Sequence, residues 1–142
     1  SEDIGNAEPY AISLANATFE AVHKIGMPEA SYVLGQATTY LASVPKSNAS
    51  ANAILQARDY IKKNGTKSVP LHLRNASNKL MKDLGYGENY KYPHSYPDGF
   101  VKVNYFPEEL NEKPKFYEPK ELGREKFLKD RLENLNNPNN NK

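Results

Sequence analysis

The sequence predicts an all-α fold: a helical bundle, then an irregular segment rich in tyrosine and proline, then a C-terminal helix. Between residues 10 and 64, apolar residues recur every three or four positions, as they do along one face of an amphipathic helix. Glycine and proline interrupt this pattern where helices are expected to end. Five prolines between residues 93 and 119 exclude a long helix there. A chain of 142 residues is long enough for one domain with its own core.

Three helices are predicted in the first 64 residues, joined by connections short enough to pack neighbours antiparallel in a compact bundle. Their spans are 9–25, 28–44 and 47–64, opened by Pro9, Pro28 and Ser47 and closed by Gly26, Pro45 and Gly65. The residues expected to share an apolar face are Ile12, Ala15, Phe19 and Val22 in the first helix, Ala30, Val33, Leu34, Ala37, Tyr40, Leu41 and Val44 in the second, and Ala53, Ile54, Ala57 and Ile61 in the third.

After Gly65 the predicted elements are shorter. Residues 69–73 are expected to be extended at least before Pro70. A short helix is predicted over 77–84 and a last helix over about 120–135. The expected inward residues are Leu80, Met81 and Leu84 in the short helix and Leu128, Leu132 and Leu135 in the last. Residues 100–105 alternate weakly, which suggests a strand that pairs with residues 115–117. The asparagine-rich end, 136–142, is expected to be disordered.

Composition and motifs exclude several classes of chemistry. The chain has no cysteine, which removes disulfides, thiol nucleophiles and cysteine-ligated metals. It has no phosphate-binding loop, no dinucleotide fingerprint and no zincin motif. The three histidines, His23, His72 and His94, lack metal-ligand spacing, and a structural role is the favoured interpretation of each. No catalytic residue and no metal ligand are therefore predicted.

Charge is unevenly distributed, although the net charge is only +2. Residues 1–64 carry five basic and six acidic groups, and residues 105–142 carry eight of each. Residues 65–104 carry six basic and three acidic groups, and aromatic residues lie among them, as in surfaces that bind nucleic acid. The candidate DNA-binding residues are Lys67, Arg74, Lys79, Lys82 and Lys91. The alternative interpretation is an ordinary solvated surface dotted with lysines.

The six tyrosines between residues 86 and 119 also have two interpretations. They could stack on bases, or they could form a lid whose rings are buried while their hydroxyls reach water or backbone. The lid is the favoured hypothesis. No apolar stretch approaches the ~20 residues of a membrane helix. We expect a soluble, intracellular protein.

Many unusual strings, in order over about residues 1–133, resemble one family of proteins. They are residues 1–9 (SEDIGNAEP), 26–30 (GMPEA), 42–48 (ASVPKSN), 69–75 (VPLHLRN), 79–87 (KLMKDLGYG), 90–94 (YKYPH), 97–100 (PDGF), 105–107 (YFP) with Leu110, and 116–119 (FYEP) with Gly123 and Glu125. They are similar to the part that follows the ATPase core in the RarA/MgsA family, relatives of the Werner-helicase-interacting protein.

The resemblance implies an AAA+ ATPase similar to clamp-loader subunits, which acts at stalled replication forks and in recombination. It implies a collar-like oligomerisation part over 1–65, truncated at its N-terminal side, a family-specific part over 66–135 and a disordered tail over 136–142. The chain would then be a fragment, itself without catalysis or cofactor, of a DNA-dependent ATPase that uses ATP and Mg²⁺. The implied setting is the bacterial cytoplasm, at the nucleoid.

The partners implied by the resemblance are other copies of the chain, in a homotetramer, and DNA at forks or single-stranded gaps through the full-length protein. The candidate interface residues in the first two helices are Ile12, Phe19, Val33, Leu34, Tyr40 and Leu41. Their alanine-rich surroundings suit subunit packing as well as a core. The alternative function is an adaptor that binds DNA or single-strand-binding protein through residues 67–91. An independent enzyme is disfavoured because no acid–base or nucleophile set is present.

Overall fold

The computed structural model describes residues 1–110 and 112–136, and within them it is all-helical, as predicted. The five α-helices are α1 (Tyr10–Ile25), α2 (Ala30–Ser43), α3 (Ala49–Asn64), α4 (Lys79–Asp83) and α5 (Glu125–Asn136). Short 3₁₀ turns occupy Gly5–Ala7, Leu71–Leu73, Pro93–Ser95 and Pro97–Gly99. The strand pair suggested for 100–105 and 115–117 is wrong, since no described residue forms a strand.

The chain divides into two compact units. The first consists of Ser1–Asp59 and Lys115–Asn134. The second consists of Tyr60–Pro114 and Leu135–Lys142, of which 60–110, 112–114, 135 and 136 are described. The predicted division into a collar part and a family-specific part stays a prediction. The predicted disordered tail lies outside the described residues, except that Asn136 ends α5.

In the first unit, α1 packs against α2 through small side chains. Ala11 and Thr18 are the buried residues of α1, and Ala30 and Ala37 are those of α2. Each pair is seven residues apart, so each forms a seam along one face of its helix. Gly26 ends α1 as predicted, and its φ of 75° is the left-handed conformation that glycine tolerates. The helix pair was thus correctly located, but small residues define its contact.

The apolar face predicted for α1 is turned outward. The exposed fractions of Ile12 and Phe19 are 61% and 68%. Small residues at the seam let the two helices approach closely, and the bulkier side chains then project elsewhere. α3 begins after Ser47, whose Oγ accepts a hydrogen bond from the Ala49 amide at 3.3 Å. Among the described elements α3 makes no pairing comparable to that of α1 with α2, and its Ile54 and Ile61 are exposed rather than inward.

A clasp closes the first unit. We use this name for residues 4–7, 45–48 and 117–125. The Arg124 amide donates to the Ala7 carbonyl at 2.8 Å, and the Ser47 amide donates to the Ile4 carbonyl at 3.2 Å. Lys120 Nζ also donates to Asn48 Oδ1 at 2.7 Å. The first of these contacts joins residues more than a hundred positions apart in the sequence, and the other two join residues 43 and 72 positions apart.

Glu125 is the centre of the clasp and is fully buried. Its Oε1 accepts from the Tyr117 hydroxyl at 2.9 Å, and its Oε2 accepts from the Lys120 amide at 3.1 Å. Asn6 Nδ2 donates to the same tyrosine oxygen at 3.0 Å. Because this carboxylate binds the backbone of residue 120, the last helix starts at Glu125, five residues later than predicted.

The second unit is built from turns. The Arg74 guanidinium lies 5.0 Å from the centroid of the Tyr86 ring and donates through Nε to the Val69 carbonyl at 2.6 Å. α4 is capped by Asn78, whose Oδ1 accepts from the Met81 amide at 2.9 Å, so it is shorter than the predicted helix. Its leucines, Leu80 and Leu84, are exposed rather than inward. Among the described elements none packs closely against α4, and the unit is held by loop contacts instead.

Candidate functional site

The candidate interface residues of the first unit fall into two groups. Ile12, Phe19 and Leu34 are exposed. Val33, Tyr40 and Leu41 are half-buried. The Tyr40 ring meets that of Tyr10 edge-on, with centroids 6.4 Å apart. Burial raises the pKa of the Tyr40 hydroxyl above its usual value, and the nearby carboxylate of Glu8 raises it further.

A cavity of about 300 Å³ brings one member of each group together. Ile12 and Leu41 line it with Ile4, Pro9 and Ala15. Along α1, Phe19 follows Ile12 by two helical turns, so the two side chains share a face. The Phe19 ring stacks on His23 with centroids 6.4 Å apart and the planes 8° from parallel. We call the outward surface of α1 that contains Ile12, Phe19 and His23 the apolar face.

The five candidate DNA-binding residues do not form one cluster. Lys67, Lys79, Lys82 and Lys91 are exposed, whereas Arg74 is half-buried. The guanidinium of Arg74 is engaged with Val69 and Tyr86 inside the unit, and its Nη1 lies 3.3 Å from the Tyr86 hydroxyl. The remaining four lysines are free of any ion pair within hydrogen-bond reach among the described residues.

The first and last of these candidate residues in the sequence, Lys67 and Lys91, line two different cavities. Lys67 lines one of about 480 Å³ together with Glu109, Glu112 and Lys113. Lys91 lines another of about 410 Å³, which also contains Lys102 and His72. His72 Nε2 is buried and has no hydrogen-bond partner among the residues described. The cationic residues predicted from the sequence are therefore distributed over the second unit and do not form a single site.

The lid hypothesis is wrong for four of the six tyrosines. The exposed ones are Tyr90, Tyr92, Tyr96 and Tyr105. Tyr86 and Tyr117 are half-buried. The His94 ring lies 5.2 Å from that of Tyr92, tilted by 56°. The sequence left base stacking as the alternative for these tyrosines, because aromatic composition does not say which rings face solvent.

The described residues hold neither a metal-binding cluster nor a membrane-spanning helix. Within residues 1–110 and 112–136, no group of three or more histidine, aspartate and glutamate side chains could hold a metal ion. None of the helices in the same residues combines the length and apolar character needed to cross a bilayer.

Comparison with known proteins shows that the chain matches one part of larger proteins. The family described as MgsA AAA+ ATPase C terminal matches residues 1–136. Replication-associated recombination protein A of Coxiella burnetii is 43% identical over 134 residues, which are 94% of this chain and 30% of that protein. The same-named protein of Escherichia coli K12 is 38% identical over 133 residues, 93% of this chain and 30% of that protein.

A eukaryotic relative carries the same region. The ATPase WRNIP1 of Dictyostelium discoideum is 44% identical over 121 residues, 84% of this chain and 14% of that protein. The chain spans less than a third of the length of these curated relatives. The resemblance seen in the strings of the sequence is confirmed. The chain belongs to the MgsA AAA+ ATPase C-terminal family, which the RarA/MgsA and WRNIP1 proteins share.

Proposed function

We propose that the chain is a non-catalytic oligomerisation module of an AAA+ ATPase that acts in recombination at stalled replication forks. The observation that carries this proposal is the apolar face of α1. Ile12 and Phe19 are mostly exposed although they recur at helical spacing, and the α1–α2 seam leaves them unused. Large apolar side chains exposed on one face of a helix are typical of protein–protein contact.

A second copy of the chain is the proposed partner for the apolar face. Residues 1–64 carry five basic and six acidic groups, so two copies repel each other little. A homotetramer would raise the local concentration of the attached ATPase modules and fix their mutual geometry. The parent, on this proposal, is a DNA-dependent ATPase with ATP and Mg²⁺, working in the cytoplasm at the nucleoid.

The test is to charge the apolar face. In the double variant Ile12→Asp and Phe19→Asp, buried carboxylates would have to be desolvated at the subunit contact, so we expect a monomer. The matched control is Ile54→Asp, because Ile54 is 54% exposed on another helix of the same unit. Sedimentation velocity over a concentration series measures the outcome. A wild-type chain that stays monomeric throughout, or a double variant that assembles like the wild type, would refute the proposal.

A second candidate function is contact between the second unit and nucleic acid, directly or through a single-strand-binding protein. The observation that favours it is a local charge excess: residues 65–104 hold six basic and three acidic groups, and four of the candidate lysines are exposed. Such an excess releases counterions from phosphates and gives weak binding that salt disrupts.

The double variant Lys79→Glu and Lys82→Glu tests this second candidate. It should weaken binding of labelled single-stranded DNA at low salt, because two contacts become repulsive. Lys62→Glu with Lys63→Glu is the matched control, since these lysines are also exposed and also lie on a helix. Equal losses in both variants would mean a general effect of net charge rather than a site at α4.

A further inference from the structure

In the segment from Tyr86 to Phe106, the burial of a hydrophobic side chain depends on its type. Val101 is buried, and the other phenylalanines and valines of the segment are half-buried: Phe100, Val103 and Phe106. Every large hydrophobic side chain of the segment that is exposed is a tyrosine: Tyr90, Tyr92, Tyr96 and Tyr105. The interior of this part of the second unit is thus filled by phenylalanine and valine. Four rings remain on the surface, available for contact.

Two consecutive 3₁₀ turns hold the central rings in place. Within Pro93–Ser95 and the residues around it, the Ser95 amide donates to the Tyr92 carbonyl at 3.0 Å, and the Tyr96 amide donates to the Pro93 carbonyl at 3.0 Å. The second turn, Pro97–Gly99, packs against the first. The two prolines fix φ at the start of each turn. A backbone held this way loses little conformational entropy when a ligand binds.

Positive charge lies beside the rings. Lys91 directly precedes Tyr92, and it lines the same cavity of about 410 Å³ as Lys102, which Glu88 and Glu108 line as well. Residues 65–104 as a whole carry the charge excess of the chain. Flat exposed rings beside cations suit a ligand that has both aromatic faces and negative charge. Single-stranded nucleic acid has both, whereas a duplex hides the faces of its bases.

We infer that Tyr92, His94 and Tyr96 form a stacking site for the unpaired bases of single-stranded nucleic acid, with Lys91 and Lys102 on its phosphates. The inference rests on the second candidate function, and it locates the contact in the double turn rather than on α4. The rings of Tyr92 and His94 contact each other with centroids 5.2 Å apart and planes tilted by 56°, so they form an aromatic surface on which a base can stack.

The test compares loss of the rings with loss of their hydroxyls. We expect Tyr92→Ala with Tyr96→Ala to bind a fluorescently labelled oligothymidylate about tenfold or more weakly, because stacking on aromatic rings carries much of such binding. Tyr92→Phe with Tyr96→Phe keeps both rings and should bind like the wild type. Tyr32→Ala, which removes a tyrosine that is 81% exposed in the first unit, is the matched control. Circular dichroism verifies that each variant is folded.

The dependence on salt gives a second measure. Two lysine–phosphate contacts predict a slope of log affinity against log salt of about −1.4 for a single strand. A duplex of the same length should bind more weakly than the single strand. If the alanine variant binds like the wild type while Lys79→Glu with Lys82→Glu does not, the stacking site is wrong and the second candidate function stands. If the wild type does not bind the oligonucleotide at all, both are wrong.

Discussion

The internal packing of the first unit differs from that of the second. In the first, backbone and buried polar groups from distant parts of the chain fit closely: a Cβ at Gly123 would lie 2.2 Å from the Ala7 carbonyl oxygen, and one at Gly5 would lie 2.6 Å from that of Ser47. In the second, a Cβ at Gly87 would meet its nearest neighbour at 3.4 Å, and one at Gly65 would meet nothing within 4 Å.

Because of this difference, we expect substitutions to affect stability in the first unit and binding in the second. The first unit has a clasp whose parts depend on one another, so single changes there should be costly. The second unit depends on short-range turns and one arginine, and it leaves tyrosines and lysines on its surface. We expect changes on that surface to alter binding more than folding. Four predictions test this contrast, in order of decreasing effect.

The largest effect is expected for Gly123→Ala. Its φ of +53° disfavours any side chain, and the new methyl group would collide with the Ala7 carbonyl that accepts the Arg124 amide. We expect the free energy of unfolding to fall by about 3 kcal/mol or more. Gly26→Ala is the control, since its φ is +75° but nothing lies within 4 Å, and it should cost about 1–2 kcal/mol. Chemical denaturation measures both, and equal costs would mean that close approach is unimportant.

The next effect is expected for Glu125→Gln. An amide can replace only one of the two oxygens that accept from Tyr117 and the Lys120 amide, so one buried donor loses its acceptor. We expect a loss of about 1–3 kcal/mol in unfolding free energy. Glu121→Gln serves as the control, because that carboxylate is exposed and, among the described residues, forms an ion pair with Lys129. A loss no larger for Glu125 than for Glu121 would contradict the central place of Glu125 in the clasp.

A smaller effect is expected for Arg74→Lys in the second unit. Lysine keeps the charge but lacks the planar group that covers the Tyr86 ring while donating to the Val69 carbonyl. We expect a loss of about 1 kcal/mol. Lys79→Ala on the exposed side of α4 should change stability by less than about 0.5 kcal/mol. Hydrogen exchange at the Gly87 amide, which donates to the Leu71 carbonyl at 2.8 Å, reports the change locally. If the exchange rate of the Gly87 amide is the same in the wild type and in Arg74→Lys, Arg74 does not stabilise this part of the second unit.

The smallest effect concerns pH. Burial raises the pKa of the Tyr117 hydroxyl above its ordinary 10.0; the Asn6 amide lowers it, and Glu125 raises it. A raised pKa in the folded state means that the stabilisation is complete below pH 10 and is lost as pH rises through the folded value. The melting temperature of the wild type should therefore fall more steeply above about pH 10 than that of Tyr117→Phe. Parallel curves would show that this hydroxyl does not contribute.

Local sequence signals located the first three helices well. Gly26, Pro45 and Gly65 end helical patterns because glycine and proline act on the backbone at their own position, whatever surrounds them. The family, too, was recognisable from ordered strings alone. The candidate lysines could be named from charge, but their distribution over separate cavities could not, since composition carries no distances.

Contacts between distant residues decided the rest. Periodicity gave α1 an apolar face, but small residues on α2 determined that Ala11 and Thr18 face inward while Ile12 and Phe19 face solvent. The start of α5 depends on Glu125, whose hydrogen-bonded partner Tyr117 also binds Asn6, 111 residues away in sequence. A pattern along the chain determines where a helix can form, because its hydrogen bonds are local. Which side it buries depends on the shape of whatever packs against it, and only the tertiary structure supplies that.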